Sequence, residues 1–258
     1  MTDTNSWPAE RTAIVTGAAS DRGIGRGVAS RLAAAGWNLG LIDLDVAGLD
    51  GYTESLAAAH GIKVVAAAAN ISDEGAVDRA ASAFEAQLPP VVAVVNIAGI
   101  SDPTPLLETS LERWTRVLTI NATGTFVVTQ RFAKGMAERG LGRVVSLSST
   151  AAQTGGGTYS AGAYAASKAA VEGMTRGLAL ELASRGVTVN ALAPAVIDTD
   201  IMGGQITEER APAFVSGLPV GRLGTVREVA ALIEFLIGED AGYITGATYN
   251  INGGARIG

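Results

Sequence analysis

The sequence predicts an α/β fold, a doubly wound parallel sheet of the Rossmann type with about seven strands and helices on both faces. Three observations predict it. Short β-branched runs alternate with Ala-rich amphipathic stretches along the chain. The runs are apolar at nearly every position (VVAVVNI, GRVVSLS), as strands covered on both faces must be. A glycine-rich turn follows the first strand and opens the first helix.

The first strand is expected over residues 12–16 (TAIVT) and the first helix over 23–35. A strand over 38–43 and a helix over 46–60 follow, then a strand over 62–69 and a helix over 73–87, which Asp73 would cap or support through the helix dipole. The next strand covers 91–97. Residues 111–139 form one long helical stretch with Gly124 inside it. A strand over 143–148, a long helix over 161–185, a strand over 187–192, a helix over 226–237 and a short strand over 248–251 complete the alternation. His60 directly precedes Gly61, which suits a helix C-cap better than a site. Residues 199–221 break the rhythm. Spotted with Gly and Pro, with a short helix near 208–214, they read as a surface loop or lid on one domain spanning 1–258. A sheet of this kind binds ligands outside the carboxyl ends of its strands, so the residues that follow the strands are the candidates.

Composition narrows the function. The 258 residues are 48% hydrophobic and 17% charged, which is not a disordered composition. There is no Cys, hence no disulfide, thiolate nucleophile or zinc-thiolate site. With His60 as the only His, and at a helix C-cap, a Ser-His-Asp arrangement, a His-rich metal centre or a general-base His is nearly excluded. A net charge of −6 argues against nucleic acid. Residues 1–11 have no apolar core of the signal-peptide kind, and no uncharged run approaches the ~18 residues of a membrane span. The expectation is a soluble cytoplasmic protein without a metal.

After the first strand comes Thr16-Gly17-Ala18-Ala19-Ser20-Asp21-Arg22-Gly23-Ile24-Gly25. Glycines let the chain turn tightly and let a pyrophosphate approach the backbone, while the helix behind offers free N–H groups and a positive dipole end. Asp43 stands at the end of the second strand, where its carboxylate can accept both ribose hydroxyls of an adenosine and repel a 2′-phosphate. The alternative is an N-cap, a task Asp45 can also perform. The ribose role favours NAD over NADP. Arg22 pulls the other way, since a cation in the turn can meet a 2′-phosphate, and Asp21 beside it offsets that charge.

Tyr164 and Lys168 stand at i and i+4 on one helical face. A tyrosine has a pKa near 10, so acid–base work near neutrality needs it lowered by roughly 3 units, or about 4 kcal/mol. A nearby amine and a nicotinamide cation are suitable sources.

These motifs together resemble those of the short-chain dehydrogenase/reductase family, in its compact type, over nearly the whole chain. TGAASDRGIG resembles the family's glycine turn but is longer by two residues. Asn96-Ile97-Ala98-Gly99 resembles its NNAG stretch, with Ile97 in place of Asn. Pro194-Ala195-Val196-Ile197-Asp198-Thr199 resembles its PG-x-I-x-T segment, with Ala195 in place of Gly. GRLGTVREVA and ITGATYNINGG resemble its C-terminal landmarks. The resemblance implies Asn121, Ser149, Tyr164 and Lys168 as the catalytic set. Tyr164 would exchange a proton with the substrate oxygen, Lys168 would lower the Tyr164 pKa and hold the nicotinamide ribose, Ser149 would position the substrate, and Asn121 would hold a water linking Lys168 to solvent. Ser149 and Tyr164 are 15 residues apart, two more than is usual in the family, with Gly155-Gly156-Gly157 able to absorb the difference. A shift of the serine role to Thr150 or Ala151 is the alternative.

For the cofactor the resemblance implies Gly17, Ser20, Arg22, Gly23, Ile24, Gly25, Asp43, Asn96, Ala98, Gly99, Pro194, Ile197 and Thr199, together with Tyr164 and Lys168. Asn70 and Ile71 align with the family's Asp-Val step beside the adenine, and Asn70 reads equally well as a helix cap. Ser101, Gln153, Thr154, Tyr159 and Asp200 border the expected substrate pocket. Their polarity tilts toward a sugar- or polyol-like alcohol or ketone. A 3-oxoacyl thioester reductase using NADPH is the rival within the family, and a non-catalytic dinucleotide sensor the rival outside enzymes. An epimerase of the extended branch would need a longer chain after Thr199. Apolar faces on 111–139 and 161–185 suggest a homo-oligomer, and the resemblance favours a tetramer.

Overall fold

A computed structural model of the chain describes residues 7–257 apart from 158 and 203. Its strands are β1 (Thr12–Thr16), β2 (Asn38–Asp43), β3 (Val64–Ala68), β4 (Val91–Asn96), β5 (Gly142–Leu147), β6 (Val187–Pro194) and β7 (Thr248–Ile251). All pairings are parallel, in the order β3-β2-β1-β4-β5-β6-β7. The strand order reverses between β1 and β4, so the loops after these two strands diverge and open a cleft at their carboxyl ends.

The helices are α1 (Ile24–Ala34), α2 (Tyr52–His60), α3 (Glu74–Gln87), α4 (Leu111–Leu118), α5 (Gly124–Arg139), α6 (Ala151–Thr154), α7 (Gly162–Leu182), α8 (Ala211–Val215) and α9 (Val226–Leu236). Side chains alternate across each strand, and the core divides accordingly. On one face Leu39, Leu41 and Val95 meet Val28 and Leu32 of α1, Leu56 of α2 and Ile233 of α9. On the other Ile14, Ile42 and Val94 meet Phe84 of α3, Phe132 and Met136 of α5 and Leu182 of α7. Among the described residues no helix is long and apolar enough to cross a membrane.

Two expectations need correction. The helix over 46–60 is broken. Gly51 adopts φ +71°, a left-handed conformation that ends a 3₁₀ turn at Ala47–Leu49 and restarts the chain as α2. The long stretch over 111–139 is not one α-helix either. A π turn at Thr119–Thr123 separates α4 from α5 and carries Asn121. His60 is in the last turn of α2, with Gly61 in the left-handed cap, as its sequence context predicts. Asp73 caps α3, its Oδ1 accepting from Ala76 N at 2.9 Å.

Candidate active site

The floor of the cleft is built by close backbone approaches. Gly17 has φ +75°, and a Cβ there would lie 2.9 Å from the Ala98 backbone. A Cβ on Gly25 would lie 2.1 Å from the Gly17 carbonyl oxygen, so α1 starts directly against the turn. Thr16 ties β1 to the loop after β4, its Oγ1 accepting from both Ile97 N and Ala98 N at 3.0 Å. Gly23 is the N-cap of α1. It offers no capping side chain, and Ile24 opens a first turn without acid, so neither satisfies the leading amides of the helix.

Asp43 is stitched to this turn. Its Oδ2 accepts from Ala19 N at 2.9 Å and its Oδ1 from Leu44 N at 2.7 Å. It caps no helix, and Asp45 takes that task for the 3₁₀ turn by accepting from Gly48 N at 3.1 Å. Ser20 and Arg22 point across the cleft instead. The Ser20 hydroxyl donates to Asp200 Oδ2 at 2.6 Å, and Arg22 Nη2 donates to Asp198 Oδ1 at 2.6 Å. These contacts bear on two sequence candidates. Arg22 is paired with an acid rather than left to a phosphate, and Asp200 faces the glycine turn rather than the substrate pocket.

The four catalytic candidates come from three parts of the fold, the π turn, the loop after β5 and α7, and converge. Ser149 follows β5, and Tyr164 and Lys168 share one face of α7. The contact of Ser149 with the Tyr164 hydroxyl favours the phenolate, but burial of that hydroxyl prevails and holds the Tyr164 pKa above its ordinary value. Lys168 is buried, its Nζ donates to the Leu147 carbonyl at 2.7 Å, and desolvation lowers its pKa to about 8. Asn121 is fully buried in the π turn. Its Oδ1 accepts from Ile100 N and its Nδ2 donates to Ile100 O, both at 2.9 Å, and to Ser167 Oγ at 3.0 Å. Its side chain is thus committed to the loop after β4 and to α7. Gly99 fits between the two, since a Cβ there would lie 2.9 Å from Asn121 Oδ1 and 3.6 Å from Lys168 Nζ.

Thr150 does not compete for the serine role, because its hydroxyl donates to the Pro194 carbonyl at 2.8 Å, and Ala151 has no hydroxyl. The extra length between Ser149 and Tyr164 is taken up by α6 and by Gly155 and Gly156, at φ +84° and +112°.

The remaining candidates are distributed around this centre. Asn70 forms a local turn, its Oδ1 accepting from the Ser72 amide and hydroxyl, while Ile71 is buried against Gly124 at the start of α5. Asn96 is buried inside the sheet, donating to Thr129 Oγ1 and Ser146 Oγ, with its own Oδ1 unpartnered among the described residues. Ile197 and Thr199 are buried after β6, and Ile197 bridges to Gly224. The Ser101 hydroxyl donates to the Tyr159 carbonyl at 2.6 Å, Gln153 Nε2 donates to Asn250 at 3.0 Å, and the Thr154 hydroxyl turns back onto Thr150 O. Tyr159 stacks on Phe214 of α8 with ring centroids 4.7 Å apart, joining the 199–221 segment to the loop before α7.

Sequence reasoning missed Thr16, Asp198 and Phe214. A threonine closing an apolar strand carries no local signal, and the other two act through partners distant in sequence.

The chain was compared with known proteins. The family model described as Enoyl-(Acyl carrier protein) reductase matches residues 17–256. A short-chain type dehydrogenase/reductase of Sinorhizobium fredii is 34% identical, the match covering 96% of this chain and 98% of the relative. The chain belongs to the short-chain dehydrogenase/reductase family. Galactitol 2-dehydrogenase (L-tagatose-forming) of Cereibacter sphaeroides is another of this oxidoreductase's relatives, 39% identical over 95% of this chain and 94% of that one. Among solved structures, a 3-oxoacyl-[acyl-carrier protein] reductase with bound NAD from Brucella melitensis superposes with a TM-score of 0.87. It is 32% identical, covering 98% of this chain and 93% of the other. The family membership makes the chain an oxidoreductase, in accord with the order of motifs along the sequence.

Proposed function

We propose that this short-chain dehydrogenase/reductase interconverts a secondary alcohol and a ketone on a small hydroxylated substrate, with NAD as cofactor. The observation that carries the reading is the convergence of Ser149 on the Tyr164 hydroxyl, with Lys168 one helical turn behind. The cleft suits a dinucleotide. Gly17 and Gly25 leave a backbone cradle that a Cβ would fill, and the start of α1 has no capping side chain to compete with an anion. Gly23 and Ile24 would face the pyrophosphate, Asp43 the adenosine ribose, and Lys168 the second ribose, with Ala98, Gly99, Pro194, Ile197 and Thr199 along the walls. When bound, the cofactor supplies or accepts the hydride at the substrate carbon.

The chain's own residues do the rest. Ser149 holds the substrate oxygen beside Tyr164, which gives it a proton in reduction and takes one back in oxidation. Asn121 fixes the loop after β4 against α7, keeping Gly99 close to Lys168. The 199–221 segment serves as a lid, docked through Tyr159 and Phe214. Gln153 Oε1 is shielded from solvent and unpartnered among the described residues, an acceptor that a substrate hydroxyl would satisfy. That supports a sugar or polyol, in keeping with the galactitol dehydrogenase relative.

The second reading, a 3-oxoacyl thioester reductase, is favoured by the Brucella melitensis neighbour. Asp43 and the net charge of −6 weigh against its usual NADPH and its acidic carrier. An activity screen of polyols, sugars, secondary alcohols and oxo-thioesters with NAD and NADP in parallel separates the two. Turnover confined to oxo-thioesters with NADPH would overturn the first reading. Exposed Leu111, Phe126 and Leu180 on α4, α5 and α7 support assembly of copies into a homotetramer.

A further inference from the structure

Asp21 of the glycine turn is paired with Arg26 at 3.0 Å, which leaves two opposed charges beside the turn, Asp43 and Arg22. Asp43 holds the Ala19 amide, and Arg22 stands three residues further along the same turn. A 2′-phosphate beside this turn would be repelled by the first and attracted by the second, so these charges alone leave cofactor choice nearly balanced. The direction in which Arg22 points breaks the balance. Its Nη2 meets Asp198 Oδ1 at 2.6 Å, and its Nε is 3.8 Å from Asp200 Oδ1. Asp198 is itself held in place, accepting from Ile206 N at 3.0 Å, and Asp200 accepts from Ser20. Arg22 lines an open pocket of about 670 Å³ together with Arg26, Asp198 and Gln205, so its side chain is not packed into a closed site.

We infer that Asp198 and Asp200 are cofactor-specificity residues: by capturing Arg22 on the far wall of the cleft they deny a 2′-phosphate its cation and leave Asp43 unopposed. The inference rests on the nicotinamide reading above. It adds a second determinant of NAD over NADP, located on the segment after β6 rather than at the end of β2.

The test follows NADH and NADPH binding to the whole protein by fluorescence of the reduced nicotinamide. Asp198→Asn combined with Asp200→Asn removes both charges and keeps an acceptor for Ile206 N. The ratio of the two dissociation constants is expected to move at least fivefold toward NADPH, and a smaller shift overturns the inference. Adding Arg22→Ala to the pair is expected to erase most of that shift. A shift that survives without Arg22 is simple loss of negative charge and overturns the inference too. Arg22→Ala alone, a change at a partly exposed turn residue, is expected to alter the ratio less than threefold. Selective loss of NADPH binding there would mean that Arg22 already serves the phosphate, which again overturns it. A parent protein that binds neither nucleotide would overturn the nicotinamide reading and this inference with it, whereas unchanged selectivity in a protein that binds NADH defeats only the inference.

Discussion

The Lys168 ammonium lies 5.7 Å from the centroid of the Tyr164 ring, yet its hydrogen bond goes to the Leu147 carbonyl. The i, i+4 spacing brings the two groups together as the sequence predicts. It does not by itself make the phenol acidic. In the protein alone, burial drives both groups toward their neutral forms, Tyr164 upward and Lys168 downward. Under the proposed function, the oxidised nicotinamide would bring the positive charge that lowers the Tyr164 pKa. Of the two sources expected from the sequence, a nearby amine and a nicotinamide cation, the amine alone does not bring the Tyr164 pKa below its ordinary value.

The first prediction is spectroscopic. In nucleotide-free protein Tyr164 ionises above the ordinary tyrosine range near 10, and adding NAD lowers that value. The difference in phenolate absorbance between the parent and Tyr164→Phe, titrated with and without NAD, isolates the group. A Tyr164 that already ionises near neutrality without nucleotide would refute this account. The same variant is expected to bind NADH almost normally and to retain less than a tenth of parental turnover.

Lys168 gives a prediction about stability. Lowering its pKa from 10.5 to about 8 means that burying the ammonium costs roughly 3 kcal/mol near pH 7. Above about pH 8 the folded protein releases that proton while the unfolded chain keeps it until about 10.5, so the parent gains stability as pH rises through this window. Lys168→Met removes the buried charge and keeps most of the packing. It is expected to abolish activity and to raise Tm by several degrees near pH 7, less the loss of the Leu147 hydrogen bond. The gain should shrink toward pH 10. Thermal melts of the two proteins at both pH values test this, and a gain that grows with pH would contradict it.

Most strands were legible because they are short apolar runs rich in β-branched residues, such as TAIVT and VVAVVN, bounded by turn residues, and the parallel order follows from their alternation with helices. The catalytic candidates were legible because Tyr164 and Lys168 are local to one helix and Ser149 closes a strand. What failed was non-local or conformational. The Ser20 and Arg22 contacts with Asp200 and Asp198 span 180 and 176 residues of sequence, which no local spacing encodes. The break at Gly51 depends on a left-handed φ that a glycine permits without requiring.

Asp43 makes a third prediction. Its carboxylate accepts from the turn and from its own loop, and it is the acceptor at the end of β2 proposed for the ribose. Asp43→Asn removes the charge and keeps an acceptor for one of the two amides, the other then facing the side-chain NH2. It is expected to move kcat/KM selectivity at least tenfold toward NADPH, chiefly by weakening NADH. Asp43→Ala should add a loss of thermal stability, because the Ala19 amide then lacks its partner. Equal effects of both variants on NADH and NADPH would show that the carboxylate only braces the turn.

The last prediction concerns the join between β1 and β4, on which the cleft floor depends. Thr16 is buried, and its Oγ1 accepts from two amides, Ile97 N and Ala98 N. Thr16→Val preserves the shape of the side chain and strands both donors. At about 1 to 3 kcal/mol for each unsatisfied buried group, a loss of roughly 2 to 6 kcal/mol is expected in denaturant unfolding. Thr16→Ser keeps the acceptor and loses one methyl group, so it is expected to cost under about 1.5 kcal/mol. The valine variant should also bind NADH more weakly, because Gly17 and Ala98 approach so closely only while this bond pair holds the strands in register. If the serine variant proved the less stable of the two, packing of the methyl rather than the hydroxyl would be what joins the strands, and the dependence of the cleft on Thr16 Oγ1 would fall.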